Sequence, residues 1–202
     1  MEKEYYDAQI KYINEIRSIR HDMMAHMIVL QYYLESENYE KAKEYIGDLK
    51  QVQDGSRLFL KDTGHDLVNA IVNDILSRFA KKIEIHVDGA FSPTFKMKPY
   101  DVCTLFSNLF TNACEACEKL ESAIPVIQMQ IREDDQKYFF SVQNPIEWKV
   151  ATCKEGFMTS KAEKSMHGIG TKNIVKVVKK YKGKIDFIVT DTSFRVEVTF
   201  RK

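Results

Sequence analysis

The sequence has no apolar run approaching the roughly 20 residues that a membrane-spanning helix needs. Its charged start, Met1-Glu2-Lys3-Glu4, also lacks the apolar stretch of a secretory signal. The chain as it stands is therefore expected to be cytoplasmic. Excess charge of one sign is absent too: 30 Lys and Arg against 29 Asp and Glu leave a net +1. That is too little for the basic field that accompanies nucleic-acid or anionic-membrane binding. Cysteine is scarce, with 4 in 202 residues, while 44% of the chain is hydrophobic. A chain of this length and apolar content buries a core without disulfide staples, so Cys103, Cys114, Cys117 and Cys153 read as reduced thiols. Cys114 and Cys117 form a CxxC, but it lies inside a helical pattern with no second ligand pair at zinc-site spacing. They read as small buried core residues. No internal repeat or low-complexity segment interrupts the sequence.

Two kinds of periodicity divide what is there. Ile13, Ile16, Arg20, Met23, Met27, Leu30 and Leu34 recur at alternating spacings of three and four, the seam of a coiled coil or four-helix bundle. After the polar turn at 35–38, a second helical pattern carries Tyr39, Ala42, Ile46, Leu49 and Val52 and fades near Asp54 and Gly55. These residues predict an antiparallel helical hairpin. One hairpin buries a single stripe, so pairing with a second copy through residues 8–60 would close a dimeric four-helix bundle. Packing of that stripe against the rest of the chain is the alternative.

Beyond Gly64 the pattern predicts a helix over 66–81, a strand carrying Ile83, Ile85 and Val87, and a long apolar helix over 99–120. Strands follow over 126–131 and 138–142, then a helix over 168–181, then a hairpin of 185–189 with 194–200 turned at 190–193. This order predicts an α+β layer, a mixed sheet with three helices on one face. The aperiodic stretch 145–167 has the length of a lid. The expected domains are 1–62 and 63–202.

Three segments carry candidate chemistry. On the heptad, His21 and Asp22 fall outside the seam and face solvent. An imidazole can attack a phosphoryl group through Nε2 if Nδ1–H is held by an acceptor, and Asp22 is the adjacent carboxylate. Alone, such a pair is also ordinary surface chemistry. His26, five residues on, suits an interhelical hydrogen bond. In Asn108-Leu109-Phe110-Thr111-Asn112-Ala113-Cys114-Glu115-Ala116, the two carboxamides lie four apart and share a helix face. Neutral oxygens of this kind suit a Mg²⁺ already held by phosphates, although capping or facing water would also account for them. Gly168-Ile169-Gly170 opens a helix whose free N–H groups can face a phosphate, and equally reads as a simple loop.

Together, in this order, Arg20-His21-Asp22, the Asn108 to Ala116 segment and His167-Gly168-Ile169-Gly170-Thr171-Lys172-Asn173-Ile174 resemble a two-component sensor histidine kinase across essentially the whole chain. The His segment, with Arg before and Asp after it, is most similar to the peptide-pheromone quorum-sensing kinases of Gram-positive bacteria. Thr159-Ser160-Lys161 resembles that group's ATP lid.

The resemblance implies a dimerisation and histidine-phosphotransfer hairpin followed by a GHKL, or Bergerat-type, α/β sandwich that binds ATP and Mg²⁺. It implies His21 as phosphorylation site, Asp22 as its acid–base partner, Asn112 as Mg²⁺ ligand, and Gly168 and Gly170 as the lid hinge, with Lys161 or Lys172 near the phosphates. Asn108 would stand where related ATPases carry a water-activating Glu; an amide cannot be that base, which suits a transferase. The family's Asp-x-Gly-x-Gly adenine acceptor is absent, and Gln143-Asn144-Pro145 stands there instead. Asn144 still offers a carbonyl oxygen, at a loss on the order of 1 kcal/mol. The expected partners are a second copy and a response-regulator receiver domain, with a membrane-anchored sensor upstream and no nucleic acid. A histidine phosphotransferase of the same architecture with a degenerate nucleotide site is the alternative.

Overall fold

The computed structural model describes residues 2–50, 62–120, 124–147, 152–153, 156–157 and 167–202, with side chains at 17–49, 62–120, 124–147 and 169–202. The chain divides into two compact units, Met1–Asp54 and Gly55–Lys202.

The first unit holds α1 (Glu2–Glu35) and α2 (Tyr39–Lys50). Glu37 closes the turn with a left-handed φ of 55°, and Asn38 caps α2 by accepting from the Lys41 amide at 3.4 Å. The helices touch where the sequence predicts an interhelical hydrogen bond: His26 Nδ1 lies 2.8 Å from Tyr45 Oη. Tyr33 meets the Tyr45 ring edge-on at 6.1 Å, and Ala42 is buried. By contrast Met23, Met27 and Leu34 on α1 and Ile46 and Leu49 on α2 are exposed.

In the second unit, α3 (Asp66–Ser77) leads to β1 (Glu84–Asp88), α4 (Pro99–Glu118), β2 (Val126–Glu133) and β3 (Lys137–Pro145). Then come the two-residue strands β4 (Thr152–Cys153) and β5 (Gly156–Phe157), which pair with each other, α5 (His167–Lys180), β6 (Lys184–Val189) and β7 (Ser193–Arg201). The five-stranded sheet runs β1-β2-β3-β7-β6. β1 and β2 are parallel, joined through α4 as a parallel pair requires, and the other pairings are antiparallel. The expected mixed sheet with three helices is thus present.

The helices bury one stripe each against one sheet face. From α3 come Val68, Val72 and Ile75, from α4 Val102, Leu105, Phe106, Leu109 and Phe110, and from α5 Ile174, Val177 and Val178. Ile127, Met129 and Ile131 of β2 and Val196, Val198 and Phe200 of β7 answer them at alternate positions. An aromatic cluster fills the middle, with Phe106 and Phe140 ring centroids at 5.2 Å and Phe91 and Phe95 stacked at 4.5 Å. The helix expected over 66–81 ends four residues sooner, at Ser77, because the chain must turn before the buried Ile83 can enter the sheet layer.

Among the described residues, no helix is long and apolar enough to cross a membrane.

Candidate functional site

Helix α4 is started by Pro99 at its first position, where a missing N–H costs nothing. Its apolar stripe seats it on the sheet, which leaves Asn108 and Asn112, one turn apart, half-buried on its flank. Asn108 Nδ2 donates to the Thr104 carbonyl at 2.6 Å. That bond engages one N–H of the amide and orients the group.

What lies above Oδ1 is the first turn of α5. A Cβ placed on Gly170 would stand 3.0 Å from Asn108 Oδ1 and 3.5 Å from Asn112 Oδ1. The two carboxamide oxygens and the first turn of α5 therefore share one spot, packed so closely that a side chain at Gly170 would press on Asn108. Helix starts leave N–H groups without intrahelical partners and carry a positive dipole end, and the first turn of α5 contains no acidic residue to occupy them. Acceptor oxygens suited to a hard cation thus lie beside a helix start suited to an anion, which is the complement of a metal–phosphate pair. The residues present fit Mg²⁺ with a phosphate-bearing ligand.

Gly168 and Gly170 lie in the first turn of α5, which begins at His167, one residue before the expected start. Asn144 sits buried near the end of β3, paired across the ladder with Phe194. Its Nδ2 donates to the Pro145 carbonyl at 3.0 Å. Among the described contacts none joins Asn144 to Asn108, Asn112 or Gly170. Lys161 and the Thr159-Ser160-Lys161 segment lie outside the described residues, and Lys172 is exposed on α5.

At the other end of the α4–α5 pair is a group of residues that sequence reasoning missed. Asp101, buried in the first turn of α4, accepts from Lys180 Nζ at 2.9 and 2.7 Å and from Tyr181 Oη at 2.7 Å. Tyr181 Oη in turn accepts the Lys98 amide N–H at 2.9 Å. The hydrogen bond from Lys180, then that from Tyr181, holds the Asp101 carboxyl below the usual carboxylate range. The same bond holds the Lys180 ammonium above its ordinary value. In sequence, an Asp in a first helical turn signals only dipole complementarity. Nothing local points to a partner 79 residues away.

Cys114 and Cys117 are buried on the apolar side of α4, and burial pushes their thiols up to about 12 and about 11. Among the described residues, no group of three or more His, Cys, Asp or Glu is placed to hold a metal ion.

In the first unit, His21 and Asp22 are exposed as expected. His21 Nδ1 lies 3.4 Å from Asp22 Oδ1, with 85% of the imidazole side chain accessible. The carboxylate thus stands on the Nδ1 side of the ring.

The family model of the GHKL domain matches residues 97–201, from the start of α4 to the end of β7. The chain belongs to the GHKL domain family. Domains of this family bind ATP, typically with Mg²⁺. Two solved structures share the fold. A mycobacterial sensor histidine kinase, MprB, aligns with a TM-score of 0.51 at 13% identity over 67% of this chain and 93% of that one. The Acinetobacter baumannii histidine kinase AdeS aligns with a TM-score of 0.50 at 12% identity over 90% of this chain and 97% of that one. No curated protein matches the chain. Within this GHKL domain the matched region includes Asn108, Asn112, Asn144, Gly168 and Gly170 and leaves out α3 and β1.

Proposed function

We propose that this protein is the catalytic portion of a sensor histidine kinase that phosphorylates His21 with ATP and passes the phosphoryl group to an aspartate on a response-regulator receiver domain. The observation that carries the reading is the convergence of Asn108 and Asn112 oxygens on the first turn of α5 at Gly170. Asn112 would hold Mg²⁺, which when bound neutralises charge on the triphosphate. Gly168 and Gly170 let backbone N–H groups approach the phosphates, and Asn144 offers its carbonyl oxygen to the adenine, its Nδ2 being engaged by Pro145. Lys161 or Lys172 would add positive charge near the phosphates.

The chemistry at His21 balances simply. Nε2 of the neutral imidazole attacks the γ-phosphorus in line, the N–P bond forms, and the bond to the β–γ bridging oxygen breaks to release ADP. Asp22 stabilises the imidazolium through Nδ1–H, the side on which its carboxylate lies. Asn108 has no basic group with which to activate water, which favours transfer over hydrolysis. The phosphoramidate then donates to the receiver aspartate and His21 is regenerated.

The domain division at 62/63 assigns the hairpin to dimerisation and phosphotransfer and the remainder to ATP binding. The exposed Met23, Met27, Leu34, Ile46 and Leu49 supply an apolar stripe for a second copy to bury in a four-helix bundle. The His21 segment favours the peptide-pheromone-sensing kinases, whose sensors are membrane-anchored. Incubation with Mg²⁺ and γ-labelled ATP tests the reading: acid-labile, base-stable label is expected on the parent and absent from His21→Ala. Equal labelling of both proteins would overturn it.

A further inference from the structure

Asp101 is a buried carboxylate that the proposed chemistry does not use. It lies in the first turn of α4 and holds the last residue of α5, Lys180, and the residue after it, Tyr181. At the far end of the same helix pair, Gly170 rests on Asn108 and Asn112. Helix α5 is therefore held at both ends along α4. From Gly170 to Lys180 is about 15 Å at helical rise.

A helix fastened at one end is a lever. Between the two ends α5 is seated by Ile174, Val177 and Val178, apolar contacts that resist separation and to which the hydrogen bonds at the Asp101 end add a defined direction. A tilt of about 5° about the Asp101 end moves the other end by roughly 1 Å over that length. The contact at Gly170 is tight on that scale, since a Cβ there would stand 3.0 Å from Asn108 Oδ1. Misplacement by about 1 Å is enough to cost a catalytic constellation on the order of a hundredfold.

We propose that Asp101, Lys180 and Tyr181 form a positioning clamp that sets the first turn of α5 against Asn108 and Asn112. None of the three contacts the site; they act through the helix. The geometry of the clamp supports this use: Lys180 spans both carboxylate oxygens, and Tyr181 adds a second link by accepting the Lys98 amide. For the nucleotide, this inference rests on the proposed ATP site; for the placement of α5 over Asn108 it stands alone.

The test is a double-substitution cycle in the full chain, read as the urea midpoint of the second unit without nucleotide. Gly170→Ala presses a methyl onto Asn108, and Lys180→Met opens the clamp at its half-exposed member, at a cost in the single variant that the cycle subtracts. Sites about 15 Å apart normally contribute additively. The clamp predicts otherwise: Gly170→Ala should lower the midpoint less in the Lys180→Met background than in the parent, and Lys180→Arg, which keeps a fork for the carboxylate, should restore the parental cost. Additive shifts would overturn the clamp.

In the same set, a calorimetric titration with Mg-ATP should show binding weakened roughly tenfold by Lys180→Met and recovered by Lys180→Arg. A parent that does not bind Mg-ATP would overturn the proposed nucleotide site, leaving the cycle to decide the clamp. Binding unaltered in Lys180→Met despite a non-additive cycle would overturn the clamp's role in nucleotide placement.

Discussion

Gly170 sits tightly above Asn108: a methyl built on it would stand 3.0 Å from Asn108 Oδ1, an oxygen whose amide is bonded to the Thr104 carbonyl and would have to give by a few tenths of an ångström. Two effects of opposite sign meet at this position. Alanine in place of a helical glycine is worth about 0.5–1 kcal/mol of stability, while here it must displace Asn108. Gly170→Ala should therefore yield no gain in urea stability, and Gly170→Ala with Asn108→Ala should recover the gain of about 0.5–1 kcal/mol. A stabilised single variant would contradict the contact.

At the proposed phosphoacceptor, Asp22→Asn keeps the shape and removes the charge that faces Nδ1. The rate of acid-labile labelling should fall by about 10²-fold while Mg-ATP affinity, measured by calorimetry, stays at the parental value. His21→Ala should abolish the label altogether.

Removing the metal-facing amide should separate binding from stability. Asn112→Ala is expected to abolish Mg²⁺-dependent nucleotide binding in a calorimetric titration. Because Asn112 is only half-buried, the urea midpoint should move by less than about 1 kcal/mol equivalent.

Acid should act through Asp101. Its carboxyl is held below the ordinary 3.8 by the Lys180 bond first and the Tyr181 bond second, with Lys98 adding a smaller attraction. A depressed folded-state pKa contributes stability that is whole above the unfolded value and is lost as the carboxylate protonates below it. The unfolding midpoint of the parent should thus fall between pH 5 and pH 3 more steeply than that of Asp101→Asn. Equal slopes would contradict the assignment. Lys180, raised above 10.5, contributes oppositely, its share being whole below that value and lost above it.

Thiol reactivity should be sharply unequal. On a Cys153→Ser background, Cys103 is exposed and Cys114 and Cys117 are buried, with thiols pushed to about 12 and about 11. Since the thiolate is the reactive form, a maleimide at pH 8 should add once per folded chain and three times after unfolding.

Periodicity sufficed for most of the second unit, because its elements are local solutions to burying one face. The helix at α4 and the alternation in β2 follow from apolar spacing, and the turn after β6 from Thr190 and its neighbours, whose Oγ1 accepts the Ser193 amide. Asn108 and Asn112 were legible as one helix face for the same reason. The end of α3 at Ser77 was not, since the residues to Lys81 keep a helical composition and only the sheet's claim on Ile83 ends the helix.

Alone, the sequence determined which side of each element would be apolar, and so the layers, the helical pattern around His21 and the pairing of two carboxamides on one turn. These are properties of neighbours within a few residues, governed by 3.6- and 2-residue periods. Tertiary structure alone decided that β3 lies between β2 and β7, that Gly170 closes on Asn108, and that Asp101 finds Lys180 and Tyr181. The two helix contacts join residues 62 to 80 positions apart, where no period reaches. Their energy comes from burying a specific charge or leaving room for a specific absence of side chain, and both depend on where the whole core sets the two helices.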